Sequence, residues 1–255
     1  MNSQARRNCL AFFYGSKYIN LYQTMAIAPL TETDIIEQIY SMYENDDTTW
    51  SATSAEYITA RNLSKAAIIR WEYVDGTLWP ELFTKLSAAA TGTKTTTAGD
   101  YDVTTPDDMR IPPQPGSYVR LSDTTGIVAT YVVIPLTKVQ QLGSSLDRFC
   151  YFTGNASLGY TLNFNPNVAL TTGLTISYEY YRNATYFTAP TSTTEMANPF
   201  FIVHYVLHRL YKSDGQLSEA TEEGQILEGL LQQMQADVID IGQDVLSSSL
   251  DGFGV

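Results

Sequence analysis

Apolar positions recur every three to four residues near the start of the chain, alternate through its middle, and return to the helical period near its end. Thr31, with Asp34 three residues later, forms a capping box, which satisfies free backbone donors at a helix start. Ile35, Ile36, Ile39, Met42 and Tyr43 follow at helical spacing until Asn45, Asp46 and Asp47 close the run. Thr53 with Glu56 opens a second predicted helix. Its Tyr57, Ile58, Leu63, Ala67, Ile68 and Trp71 mark a buried face beside exposed Arg61, Lys65 and Arg70. Pro80, well suited to a first turn, predicts a third helix through Trp79, Glu81, Leu82, Phe83 and Leu86, stopped by the Thr-rich residues 91–99.

From about 100 to 182, β-branched and aromatic residues alternate and turn signals punctuate them. Strands are predicted at 118–121, 127–134, 149–153, 160–164 and 174–181. A single hairpin cannot bury a face alone, so these strands predict a small sandwich or barrel. The segment GNASLG, residues 154–159, joins two strands and no Lys-Ser or Lys-Thr follows it, so it reads as a hairpin turn and not as a phosphate loop. Asn198 caps the next helix with Pro199 at its first position, and FFIVHYVLH, residues 200–208, is apolar nearly all round, as a central buried helix is. Ser218 starts the last helix, with Glu219, Glu222 and Glu223 in its first turn and a stripe of Leu227, Leu230, Leu231, Met234, Val238 and Ile241. Residues 242–255 are small, polar and Gly-ended, the pattern of a flexible C-terminal tail. The expected class is α+β: helices from 25–90 and 198–241 form one helical bundle, and an antiparallel β-sandwich or barrel module, 91–197, is inserted between them.

Charge adds a constraint. The 255 residues hold 27 acids and 15 bases, a net charge of −12. A protein that grips DNA or RNA clusters Lys and Arg against phosphates, so a nucleic-acid reader is excluded. Residues 25–90 carry 10 acids and 4 bases, residues 91–197 carry 8 and 6, and residues 198–255 carry 9 and 2, so both helical flanks are acidic and the middle is nearly neutral. A hydrophobic content of 44% is ample for a packed core. No apolar run reaches the length of about 18 residues that spans a bilayer. The short apolar stretch after Arg6 and Arg7 is broken by Gly15, Ser16 and Lys17, too early for a signal peptide. Met25 begins MAIAPLTETDIIEQI like a natural start, so residues 1–24 read as an upstream extension that need not belong to the native protein.

Catalytic chemistry is hard to assemble from this chain. His204 and His208 have the spacing of two zinc ligands on a helix, but Tyr205 stands where a metalloprotease carries its general-base Glu, and there are only two histidines. The adjacent carboxylates Asp46-Asp47, Asp107-Asp108 and Glu222-Glu223 point apart in strands and do not face each other on helices, so they read as caps and solvated turns. Asp100 and Asp102 lack the spacing and closing Glu of a calcium loop. Cys9 and Cys150 are too distant in sequence for a short zinc-ligand pair. No cofactor, metal or catalytic residue is expected, and a binding or structural role is the better class.

Three segments carry a resemblance. Trp71-Glu72-Tyr73 and Thr77-Leu78-Trp79-Pro80 follow two short capped helices. YDVTTPDDMRIPP, residues 101–113, resembles a Tyr-x-Leu-Pro-x-Asp-x-x-Arg-Ile pattern, departing from its tight Leu-Pro step at Val103-Thr104-Thr105-Pro106. Between 160 and 211 come YTLNFNP, then LTISYEYYRNATYFT, then NPFFIVHYVLHRLY. Over residues 30–240 the chain resembles the head-to-tail adaptor (connector) family of tailed bacteriophages, including the tail tubular protein A group of short-tailed phages; residues 1–24 find no counterpart. The resemblance implies a structural virion protein assembled in the host cytoplasm. It implies a homo-oligomeric ring, usually of twelve subunits, between the portal protein and a downstream tail or nozzle protein, with DNA passing through the lumen without specific binding. It also implies that the C-terminal segment reaches the portal, which makes Leu246, Leu250, Phe253 and Val255 candidate docking residues.

A second class of function is a non-catalytic carbohydrate-binding β-sandwich protein of the virion, suggested by the tyrosines of 151–186 and by Trp50 in a loop. Alternation places Tyr178 and Tyr180 on one strand face. They are candidates for a β-module interface, either a subunit contact or a stacking platform.

Overall fold

A computed structural model describes residues 29–46, 49–74, 76–86, 94–95, 102–142, 148–165 and 173–250, the side chains of 94–95, 140–142 and 239–250 excepted. The fold is mixed α and β. Helix α1, Glu32–Glu44, starts on the expected box: Thr31 Oγ1 accepts from the Asp34 N–H at 3.2 Å, and Asp34 Oδ2 accepts from the Thr31 N–H at 2.9 Å. Asn45 ends it in the left-handed conformation, φ 55°. Helix α2, Ala55–Glu72, is capped by Ser54, one residue beyond the expected Thr53, its hydroxyl accepting from the Tyr57 N–H at 3.2 Å.

The expected third helix is absent. Pro80–Leu82 makes a single 3₁₀ turn, and Phe83–Leu86 continues as strand β1, paired antiparallel with a strand near residue 180. Pro80 suits any first turn, so it does not distinguish one turn from a full helix. Backbone pairing with a distant strand then outweighs local helix preference.

The remaining strands are β2 Lys94–Thr95, β3 Asp102–Thr104, β4 Met109–Ile111, β5 Tyr118–Asp123, β6 Gly126–Val133, β7 Phe149–Asn155, β8 Gly159–Phe164 and β9 Thr175–Arg182. These nine strands form one sheet in the order β1-β9-β5-β6-β7-β8-β3, with β2 and β4 also paired to β9. Because β1 and β4 both pair with Tyr181, they take opposite edges of β9. The expected antiparallel sandwich or barrel is therefore a single curled sheet. One pair, β6 with β7, is parallel, and residues 134–148, which include helix α3, Leu136–Leu142, supply the crossover such a pair needs. Curling lets one face bury itself: Val119, Leu121, Tyr131, Val133, Cys150, Leu162, Phe164 and Ile176 share one core.

A second core lies among the helices. Helix α4, Phe200–Ser213, is buried on nearly every side, through Phe201, Ile202, Val203, Val206 and Leu207. It packs against α1, α2 and the last helix, α5, Leu217–Leu250. Ile35, Ile36 and Ile39 from α1, Ala67, Ile68 and Trp71 from α2, and Leu231 and Met234 from α5 join it in that core. The expected tail from 242 is helical as far as Leu250: α5 continues through it with no Pro to stop it. None of the helices, among the described residues, is long and apolar enough to cross a membrane.

Candidate functional site

The two cores meet where α2 ends, and that junction gathers buried charge. Trp79 donates its indole N–H to the Trp71 carbonyl at 2.7 Å and stacks on the Trp71 ring at 5.4 Å, fixing how the chain leaves α2. Glu72 is thereby carried inward, its side chain fully buried. Arg110 from β4, itself buried, lies 4.0 Å from Glu72 Oε1 and donates to the Glu72 backbone carbonyl. Its guanidinium also covers the Tyr73 ring at 5.4 Å. Tyr186 donates its hydroxyl to Glu72 Oε2 at 3.0 Å, and Tyr160 from β8 donates to the Arg110 carbonyl at 3.0 Å.

Burial pushes the Glu72 carboxyl above its ordinary range, while the Tyr186 hydroxyl, the Ala184 N–H and the Arg110 charge hold part of that rise back. Tyr186 is pushed up to about 12 by burial and by the carboxylate it faces. A second pair borders the first. Arg182, at the end of β9, grips Glu195 with two bonds of 2.7 and 3.1 Å, and the Thr185 N–H and hydroxyl donate to the same carboxylate. Burial raises the Glu195 carboxyl, but these donors outweigh it and leave it below the usual range. Asp108 completes the edge by accepting from the Tyr180 hydroxyl at 2.9 Å, and its backbone carbonyl accepts from the Asn183 N–H at 2.7 Å.

The charged groups of this junction face one another, with Glu72 Oε1 and Arg110 Nε buried without a hydrogen bond of their own. The arrangement is a clasp: it locks α2, β4 and the segment leaving β9 together, with neither an activated nucleophile nor an acid–base pair.

The histidines serve packing between helices. His204 Nδ1 meets Glu223 Oε2 at 2.6 Å, and His208 Nδ1 donates to the Ala220 carbonyl at 2.7 Å. Gly224 makes room for the second ring, since a Cβ there would stand 3.2 Å from His208 Nδ1. Among the described residues no three His, Cys, Asp or Glu side chains gather to hold a metal ion.

The candidate interface tyrosines do not form a surface. Tyr178 and Tyr180 are 3% and 6% exposed and belong to the sheet core, where Tyr178 meets Phe152 edge-on at 5.8 Å. Alternation does place them on one face, and the curl of the sheet turns that face inward. Trp50 is likewise no open platform: its ring stands 5.1 Å from Tyr40 and 6.3 Å from Tyr43, against the helical core. Leu246 and Leu250 fall on the last turns of α5, with side chains outside the described residues; Phe253 and Val255 lie outside them altogether.

Sequence reasoning passed over Glu72, Arg110, Arg182 and Glu195 as site residues. A signal existed for two of them, because Glu72 stands between aromatics in Trp71-Glu72-Tyr73 and Arg110 between apolar residues in Met109-Arg110-Ile111, the settings of charges that must be buried with a partner. Comparison of the chain with protein-family models gives no match, and neither does comparison with curated proteins.

Proposed function

We propose that the chain is a head-to-tail adaptor of a tailed bacteriophage, a non-enzymatic subunit of a ring seated between the portal protein and the next tail component. The observation that carries this reading is the convergence of three sequence segments. The Trp-containing passage of 71–80, residues 101–113 and residues 160–211 carry the resemblance to the adaptor family, and one residue from each, Glu72, Arg110 and Tyr186, meets the others in one clasp. Segments far apart in sequence yet joined in one buried network are a stronger sign of a shared design than any one of them.

In this reading the helices of 25–90 and 198–241 form one bundle that packs subunit against subunit, and the curled sheet projects towards the tail. Twelve subunits enclose a lumen through which DNA slides, and the acidic character of the chain keeps the duplex from sticking. Residues beyond Gly242 dock on the portal, with Leu246, Leu250, Phe253 and Val255 as apolar anchors. Electron microscopy of the purified chain, alone and with portal, tests the reading. Rings that stack coaxially on portal are expected; a chain that stays monomeric at every concentration and ignores portal overturns it.

A further inference from the structure

The helical core and the sheet core share no residue, and the chain passes between them at one place. On the way out Leu82 belongs to the helical core and Leu86 to the sheet core; on the way back Tyr180 belongs to the sheet core and Ala184 to the helical core. Phe83 pairs with Tyr181, so the outgoing and returning strands stand side by side as a two-stranded neck. At its base Tyr181 packs on the helical core, and its ring meets Phe83 at 5.1 Å. The bonds of Arg182 to Glu195 and of the Asn183 N–H to the Asp108 carbonyl lie within two residues of Tyr181. A neck bonded this close to its base is a place where a few residues can absorb a rotation.

One contact braces the neck from the side. Strand β4 takes the edge of β9 opposite β1, and among the described residues its Arg110 is the one sheet side chain that hydrogen-bonds to α2, at the Glu72 carbonyl. The brace is incomplete. Arg110 stands 4.0 Å from Glu72 Oε1, and that oxygen and Arg110 Nε are both buried without a hydrogen bond. Water would satisfy both atoms if the contact opened, so opening recovers part of what it breaks. We propose that Arg110 and Glu72 form a releasable latch: closed, it holds the sheet at one angle to the helices; broken, it lets the sheet turn about Tyr181 while both cores stay folded. A chain so built changes the angle of its sheet without repacking either core. The device belongs to the single chain and works with or without a ring.

Arg110→Met combined with Glu72→Gln removes the latch without leaving a buried charge unpaired, and the full chain with Cys9→Ser is the background for the test. Spin labels at Asn62→Cys on α2 and Thr124→Cys in the turn after β5 report the angle. Both positions are exposed, and that turn lies at the end of the sheet away from Tyr181, because Ser122 pairs with Thr175. Cys150 is buried and takes no label. Labelled chains are diluted with unlabelled ones, so that only distances within one chain are read. The latched chain should give one narrow distance distribution, and the double variant one at least about twice as wide. Far-UV circular dichroism and the protection of Cys150 from thiol reagents should be the same in both. A folded double variant with a distribution no wider than that of the latched chain overturns the latch. So does a double variant that exposes Cys150 or loses its helix signal, since the pair would then hold the fold and not the angle.

Discussion

Glu72 is a carboxylate held away from water by a fold that supplies one nearby guanidinium and one phenol, and the balance among them sets its energetics. Removing the guanidinium leaves the carboxylate buried without its counter-charge. Arg110→Met should therefore cost about 3 kcal/mol in urea denaturation, and adding Glu72→Gln should recover most of that loss. A double variant as unstable as the single one would show that Arg110 acts through its packing on Tyr73 instead. The pH dependence has a definite sign. The folded chain keeps a proton on Glu72 above the ordinary 4.5, where the unfolded chain has lost it, so stability from this group is largest below that value and declines as pH rises through the raised folded value. Glu195, with its folded value lowered, works in the opposite direction: its contribution is present above 4.5 and is lost as pH falls through the folded value. Denaturation midpoints measured between about pH 3 and pH 7 should flatten on the upper side for Glu72→Gln and on the lower side for Glu195→Gln.

Among the elements, the β7–β8 hairpin is fixed by its turn. Asn155 Oδ1 accepts from the Ser157 and Leu158 N–H groups at 2.9 Å each, which closes the turn. Gly154 sits at φ +102°, and a Cβ there would collide with the Gly159 carbonyl oxygen, whereas a Cβ at Gly159, φ +85°, would meet open space. Gly154→Ala should cost at least about 2 kcal/mol through combined strain and collision, and Gly159→Ala only about 1 kcal/mol through backbone strain. Thermal denaturation of the two variants checks the order; equal losses would mean the turn re-forms around the new side chain. The same hairpin pairs Cys150 with Phe164 and Phe152 with Leu162, so the loss is transmitted into the sheet core.

At the scale of the whole molecule, two cores joined by a charged clasp form a body with separate surfaces available to separate partners. Helix α5 continues from Val238, the last residue described as packing on the helical core, to Leu250. If those turns and the residues after them hold the portal, truncation before Gly242 should weaken portal attachment at least tenfold while the far-UV spectrum, apart from the lost turns, and the melting temperature stay close to those of the full chain. Undiminished attachment would move the portal contact to another surface.

Local signals determined much of this protein without any knowledge of the fold. The capping box at Thr31 and Asp34, the all-round apolar helix at 200–208, the hairpin at 154–159 and the five longer strands were legible because caps, periods and turns act between residues a few positions apart. Tertiary structure alone decided the rest. Phe83–Leu86 is a strand because β9 offers it a partner nearly a hundred residues away, and β6 pairs parallel with β7 because a crossover returns the chain to the same end of the sheet. Alternation told that Tyr178 and Tyr180 share a face; only the curl told that the face points inward. Glu72 and Arg110 show the same limit, since a buried charge declares in its own neighbourhood that it needs a partner, while the partner is chosen by long-range packing that no local pattern records.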